Sequence, residues 1–175
     1  MSVRILAAGF DPWVCLADYQ RTRPGMAAGQ FGATAVFVGT MRDFNQGDAV
    51  QSLFLEHYPG MTESHLEKIA TEAARRWELI DTLIVHRVGE LKPGEPIVLV
   101  AVWSAHRRDA FEASRYLMEE LKSRAPLWKK EQLADGTRWV DKNTAGERMN
   151  QPRRARNPAR TKINRQGKRT RTQTS

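Results

Sequence analysis

A small set of cations sits where this sequence could use them chemically. Arg42 follows a β-branched and aromatic run, and His106 and Arg107 fall between an apolar run and a helical pattern. Lys122 lies near the end of that pattern, and Lys129, Lys130 and Glu131 follow within WKKE. Taken singly, each has a bland explanation. An arginine after a strand is usually solvated, a histidine at a helix start can be a cap, and a lysine near a helix C-terminus complements the macrodipole. Taken together they describe a pocket for an anionic, phosphorylated small molecule, because guanidinium and ammonium groups bind phosphate oxygens with charge-assisted hydrogen bonds. Alternation in an extended segment puts Leu127, Lys129 and Glu131 on one face and Trp128 and Lys130 on the other. Lys129 and Glu131 then form a proton-handling pair.

Other chemistries are poorly represented. The sequence contains no GxGxxG, Walker loop, GxSxG, CxxC or HExxH, each of which marks a common enzyme class. Four scattered histidines and one cysteine match no zinc spacing, so no metal site is expected. Cys15 has no flanking His or basic residue to form a thiolate, and reads as a small apolar residue rather than a nucleophile or sulfur carrier. His57 and His65 read as structural or exposed.

These residues need elements to position them. Val3–Ala7, Ala33–Gly39, Val50–His57, Ile80–Val88 and Pro96–Trp103 read as strands, and Leu127–Glu131 with Thr137–Val140 as a final short pair. Asp11–Tyr19 suits a short helix. Thr62 caps a helix with Leu66, Ile69, Ala70, Ala73 and Trp77 at helical spacing. A second main helix covers Arg108–Ser123, with an apolar stripe of Phe111, Ser114, Leu117, Met118 and Leu121, and Pro126 stops it. Residues 23–32, 41–48 and 89–95 are rich in turn-formers. Strands outnumber helices and short loops often join them, which predicts an α+β fold with a mostly antiparallel sheet and two main helices. If Ala33–Gly39 and Pro96–Ser104 are neighbours in one sheet, Arg42, His106 and Arg107 are expected to converge at one edge.

Charge divides the chain. Of 175 residues, 28 are Lys or Arg and 20 are Asp or Glu, for a net charge of +8. Residues 151–175 hold nine of the basic residues and no acidic one. Residues 1–150 are therefore nearly neutral. The basic excess belongs to a tail whose one sizeable apolar residue is Ile163, too little to offset the entropy of ordering. The expected organisation is a domain over 1–145 and a disordered basic tail over 146–175. The longest purely apolar run, Ile97–Trp103, is too short to cross a bilayer. With no signal-like start, the expectation is a cytoplasmic protein that does not bind membranes.

Several stretches resemble one family. They are FVGTMRDFNQGDAV (37–50), LEHYPGMTE (55–63), HRVGELKPGE (86–95), SAHRRDAF (104–111), LKSRAPLWKKE (121–131) and RWV (138–140). In that order they are similar to the MoaE family, the large catalytic subunits of molybdopterin synthase, over residues 3–141. The resemblance implies a hammerhead-like fold of the α+β type and a sulfurtransferase that converts cyclic pyranopterin monophosphate (precursor Z) to molybdopterin. Sulfur would come from the C-terminal glycine thiocarboxylate of a small ubiquitin-like subunit of the MoaD type, so no cofactor of its own is implied. It further implies a homodimer of large subunits within a heterotetramer.

By the same resemblance the substrate-site positions are Thr40, Met41, Arg42, His106, Arg107, Lys122, Lys129, Lys130 and Glu131. Arg42, His106 and Arg107 are expected to hold phosphate and pterin oxygens. Lys122 and Lys129 carry the chemistry, one as acid/base or nucleophile and the other as an electrostatic group. Glu131 orients Lys129 or shuttles protons. A nucleic-acid-binding reading rests on the tail alone. The tail lacks aromatics for base stacking, which leaves only non-specific phosphate contacts. A non-catalytic module of the same fold is disfavoured by the presence of both lysines and the His–Arg pair.

Overall fold

The computed structural model describes residues 1–26, 29–45, 48–133 and 136–140. The expected basic tail over 146–175, and its boundary with the preceding domain, lie outside the described residues.

Two strands dominate the sequence pattern and the fold alike. β5 (Leu79–Arg87) and β7 (Pro96–Ser104) are each buried over seven consecutive residues. They are the central strands of a four-stranded sheet ordered β1-β5-β7-β2, with β1 at Ser2–Leu6 and β2 at Ala33–Thr40. A strand covered on both faces has no solvent side, which is why β7 reads as a continuous apolar run and why β5 is buried even at Asp81, Thr82 and His86. β1 pairs with β5 in parallel, while β5–β7 and β7–β2 are antiparallel.

Each face of this sheet carries helix. Ile84, Val98, Val100 and Val102 pack with Leu66, Ile69 and Ala73 of α2 (Met61–Arg76) and with Ala113, Leu117 and Leu121 of α3 (Arg107–Arg124). The alternate residues Leu83, Val85, Leu99, Ala101 and Trp103 pack with Tyr19 of α1 (Pro12–Thr22). Asp11 caps α1, its carboxylate accepting from the amides of Trp13 and Val14 at 2.8 and 3.1 Å.

A second sheet of five strands contains β3 (Phe44–Asn45), β4 (Asp48–His57), β6 (Gly89–Leu91), β8 (Leu127–Leu133) and β9 (Gly136–Trp139). Its inner face contributes Val50, Leu53, Leu55 and Leu91 to a separate small core with Met41. The architecture is α+β with mostly antiparallel pairing, as the strand-rich pattern predicts.

The short helix expected over 11–19 is α1, 11 residues long. Two local expectations are corrected. α2 starts two residues earlier than a Thr62 cap implies. Gly60 is its N-cap, at a φ of 79° that favours glycine, and the Glu63 carboxylate accepts from the Gly60 amide at 2.7 Å. Phe111 is 68% exposed, because the buried stripe of α3 runs through Ala110, Ala113, Ser114, Leu117, Met118 and Leu121, one residue out of phase with it.

Candidate active site

α3 ends at Arg124, and the chain turns through Ala125 and Pro126 directly into β8. This turn brings the two lysines together. Lys122 lies in the last turn of the helix, and Lys129 is on the inward face of β8. The register with β4 sets that face: Lys129 lies opposite Leu55 and Glu131 opposite Leu53, both core residues, whereas Lys130 lies opposite the exposed Phe54. The expected alternation of WKKE is therefore observed. Lys130 instead stands over the ring of Trp139 on the outer face, 5.6 Å from its centroid.

The electrostatics of the pair follow from this placement. Burial pushes the Lys129 ammonium below the ordinary lysine range, the nearby Lys122 charge pushes it the same way, and Glu131 opposes both. Glu131, itself buried, accepts hydrogen bonds from Asn45 Nδ2 at 2.6 Å and from Arg138 Nη2 at 2.8 Å. Its carboxylate is thus held by β3 and β9 while its charge acts on Lys129.

Sequence reasoning missed a histidine here. His86, 4% exposed on β5, donates from Nδ1 to the carbonyl of Arg87 at 2.8 Å. Burial pushes its pKa down to about 4, with the charges of Lys129 and His57 pushing the same way against that hydrogen bond. The ring is therefore neutral at physiological pH and adds no third cation beside the lysines. The available signal was a histidine inside the strand expected over Ile80–Val88.

Arg42 emerges from the end of β2. The Met41 side chain is buried in the small core with Leu53 and Leu55. Its backbone is gripped on both sides by the 92–95 turn: its amide donates to the Glu95 carbonyl, and its carbonyl accepts from the Gly94 amide, both at 2.9 Å. Thr40 and Arg42 are exposed, and the Arg42 guanidinium stacks 5.0 Å from the Phe44 ring centroid.

The expected convergence of Arg42 with His106 and Arg107 does not occur within one chain. The two strands are indeed neighbours, but antiparallel, so Thr40 pairs with Pro96 while Ala33 pairs with Ser104. Arg42 follows one end of β2, and His106–Arg107 follow the opposite end of that pair. α3 gives the same result: His106 is its N-cap and Lys122 lies in its last turn, about 24 Å away at the helical rise. His106, Arg107 and Phe111 are exposed together at that far end. Among the described residues, no cluster of three or more His, Cys, Asp or Glu is gathered to hold a metal ion. No described helix is long and apolar enough to cross a membrane.

Known proteins are similar to this chain in sequence and fold. The family model described as MoaE protein matches residues 15–124, which include Arg42, His106, Arg107 and Lys122 but stop before Lys129. The molybdopterin synthase catalytic subunit of Ralstonia nicotianae is 50% identical over 147 residues, covering 84% of this chain and 81% of the relative. A MoaE protein structure from Burkholderia ambifaria is 46% identical with a TM-score of 0.67, covering 83% of this chain and 92% of the other. The crystal structure of molybdopterin synthase from Staphylococcus aureus is 34% identical with a TM-score of 0.69, covering 78% and 95%. The chain belongs to the MoaE family, the family of molybdopterin synthase catalytic subunits.

Proposed function

We propose that this enzyme transfers sulfur from the C-terminal thiocarboxylate of a small ubiquitin-like MoaD-type partner to cyclic pyranopterin monophosphate, forming the dithiolene of molybdopterin. The observation that carries this reading is the convergence of Lys122 and Lys129 across the 125–126 turn, with Lys129 depressed below an ordinary lysine. Two neighbouring cations suit the reaction. Lys122 holds negative charge that builds on the thiocarboxylate carbonyl during transfer, and Lys129, pushed below the ordinary lysine range by burial, is the acid/base group. Arg42, beside Thr40 and the clamped Met41 backbone, binds the phosphate end of the substrate. Glu131, fixed by Asn45 and Arg138, tunes Lys129.

His106 and Arg107 enter this site from a second copy. They lie about a helix length from Lys122 in their own chain, so they serve the same substrate only across a homodimer. The exposed Phe111 beside them fits a covered surface better than open solvent. In this reading the assembly is a heterotetramer, with one small partner threading its glycine-ended tail to each lysine pair.

Single-turnover dithiolene formation with a thiocarboxylated partner tests the assignment. Lys122→Ala and Lys129→Ala should each lose about a hundredfold or more in rate, the scale of an oxyanion or acid/base group. Lys→Arg should fail to rescue at least one position, because a guanidinium is neither compact nor readily deprotonated. Rates within a few-fold of wild type in both alanine variants would remove the lysines from the chemistry.

A further inference from the structure

The lysine pair is held across a turn flanked by Ala125 and Leu127, which pack against the core, and by the β4–β8 ladder, which begins at Leu127. Ala125 donates its amide to Leu121 O at 3.2 Å, and Leu127 donates to Ala125 O at 2.8 Å, both within the same short stretch. Pro126 has no amide. Two ammonium groups repel across this stretch, so the turn needs an anchor outside itself.

Thr62 supplies one. Its side chain is fully buried, at 0% exposure. Its hydroxyl donates to the Pro126 carbonyl at 3.2 Å and accepts from the Tyr58 amide at 3.2 Å. Since α2 is capped by Gly60 and Glu63, the hydroxyl is not needed as a helix cap. The same loop grips β8 a second time, where the Tyr58 ring meets Trp128 edge to face at 5.0 Å. The YPGMT segment (58–62) thus fastens Pro126 and Trp128 to the start of α2.

We propose that Thr62 is a positioning residue for the lysine pair: by bridging Tyr58 N and Pro126 O, its hydroxyl fixes the turn that sets Lys122 against Lys129. The role rests on the proposed function of those lysines, but the geometry it controls can be read without turnover. The charged groups that act on Lys129 are Lys122 of α3 and Glu131 on its own strand, and Lys129 in turn acts on His86 of β5, as does His57 of β4. Loosening the turn lets Lys129 move away from Lys122 and hydrate, and both changes favour its charged form.

The test compares Thr62→Val, which keeps the shape and removes the hydroxyl, with Thr62→Ser, which keeps the hydroxyl. Lys129 is titrated by NMR in lysine-labelled full-length protein, and single-turnover rates are measured with the thiocarboxylated partner. In Thr62→Val the Lys129 titration should move up towards an ordinary lysine. The rate should fall about tenfold, the scale of a displaced catalytic group, with KM within about twofold of wild type. Thr62→Ser should match wild type in both readouts. If Thr62→Val does not fold, Thr62→Ala carries the same comparison. An unmoved Lys129 titration in the hydroxyl-free variant, or failure of Thr62→Ser to restore it, overturns the proposal. A shifted titration in a protein whose Lys122→Ala and Lys129→Ala variants stay active would instead overturn the catalytic reading of the lysines and leave the positioning role standing.

Discussion

Replacing His86 by asparagine should remove a defined part of the protein's acid sensitivity. The asparagine amide can still donate to the Arg87 carbonyl, as Nδ1 does at 2.8 Å, but it cannot take up a proton. In the unfolded chain a histidine protonates as pH falls through about 6.5, whereas the buried native ring resists until about 4. Between those values the unfolded state binds the additional proton. Stability that is complete above about pH 6.5 is therefore lost progressively down to about pH 4. For one group with these two pKa values, the loss between pH 7.5 and pH 5 is about 2 kcal/mol. Depressed carboxylates such as Glu95 and Glu112 add little at pH 5, because their loss falls mostly below the ordinary carboxylate range. Urea denaturation at fixed protein concentration, at pH 7.5 and pH 5, reads the difference. The wild-type midpoint should drop by about 1 M more than that of His86→Asn, taking an m-value of about 2 kcal/mol/M. Equal midpoint shifts in the two proteins, or a His86 ring that titrates above pH 6 by NMR, would refute the reasoning.

Mixing His106→Ala/Arg107→Ala protein with Lys122→Ala/Lys129→Ala protein should restore activity that neither has alone. Each mixed dimer rebuilds one intact site, so random exchange yields about a quarter of wild-type turnover; no recovery after verified subunit exchange would place both groups in one chain's site. Truncating the apolar stripe at the fully buried Leu117 with Leu117→Ala should lower stability by about 2–5 kcal/mol, read by denaturant melts, whereas Phe111→Ala should change monomer stability little. Deleting residues 151–175 should leave sulfur transfer within about twofold and weaken binding to DNA, with a shallower salt dependence in fluorescence titrations. A large loss of activity on that deletion would mean that the tail acts in the reaction.

Much of this protein was legible from local pattern. The buried runs of β5 and β7, the helical spacing of Leu66, Ile69 and Ala73, and the facing of Lys129 and Glu131 all follow from side-chain periodicity, which is set within a few residues. The stop at Pro126 was legible too, because a proline after a helical run disfavours helical backbone in the residue before it. The direction in which β2 runs against β7 was not. The two strands are separated by α2 and four further strands, and nothing in either one encodes whether its partner lies parallel or antiparallel. That single choice sends His106 and Arg107 to the end of the sheet opposite Arg42, so that in the proposed site they come from a second copy. Thr62 misled for a related reason. Its sequence context is that of a helix cap, but the hydroxyl's partner is a carbonyl 64 positions away. His86 is a histidine in an apolar strand until β8 sets Lys129 near it. Periodicity reports which face a side chain takes; what it meets there is settled by non-local packing, where burial and neighbouring charge decide its chemistry.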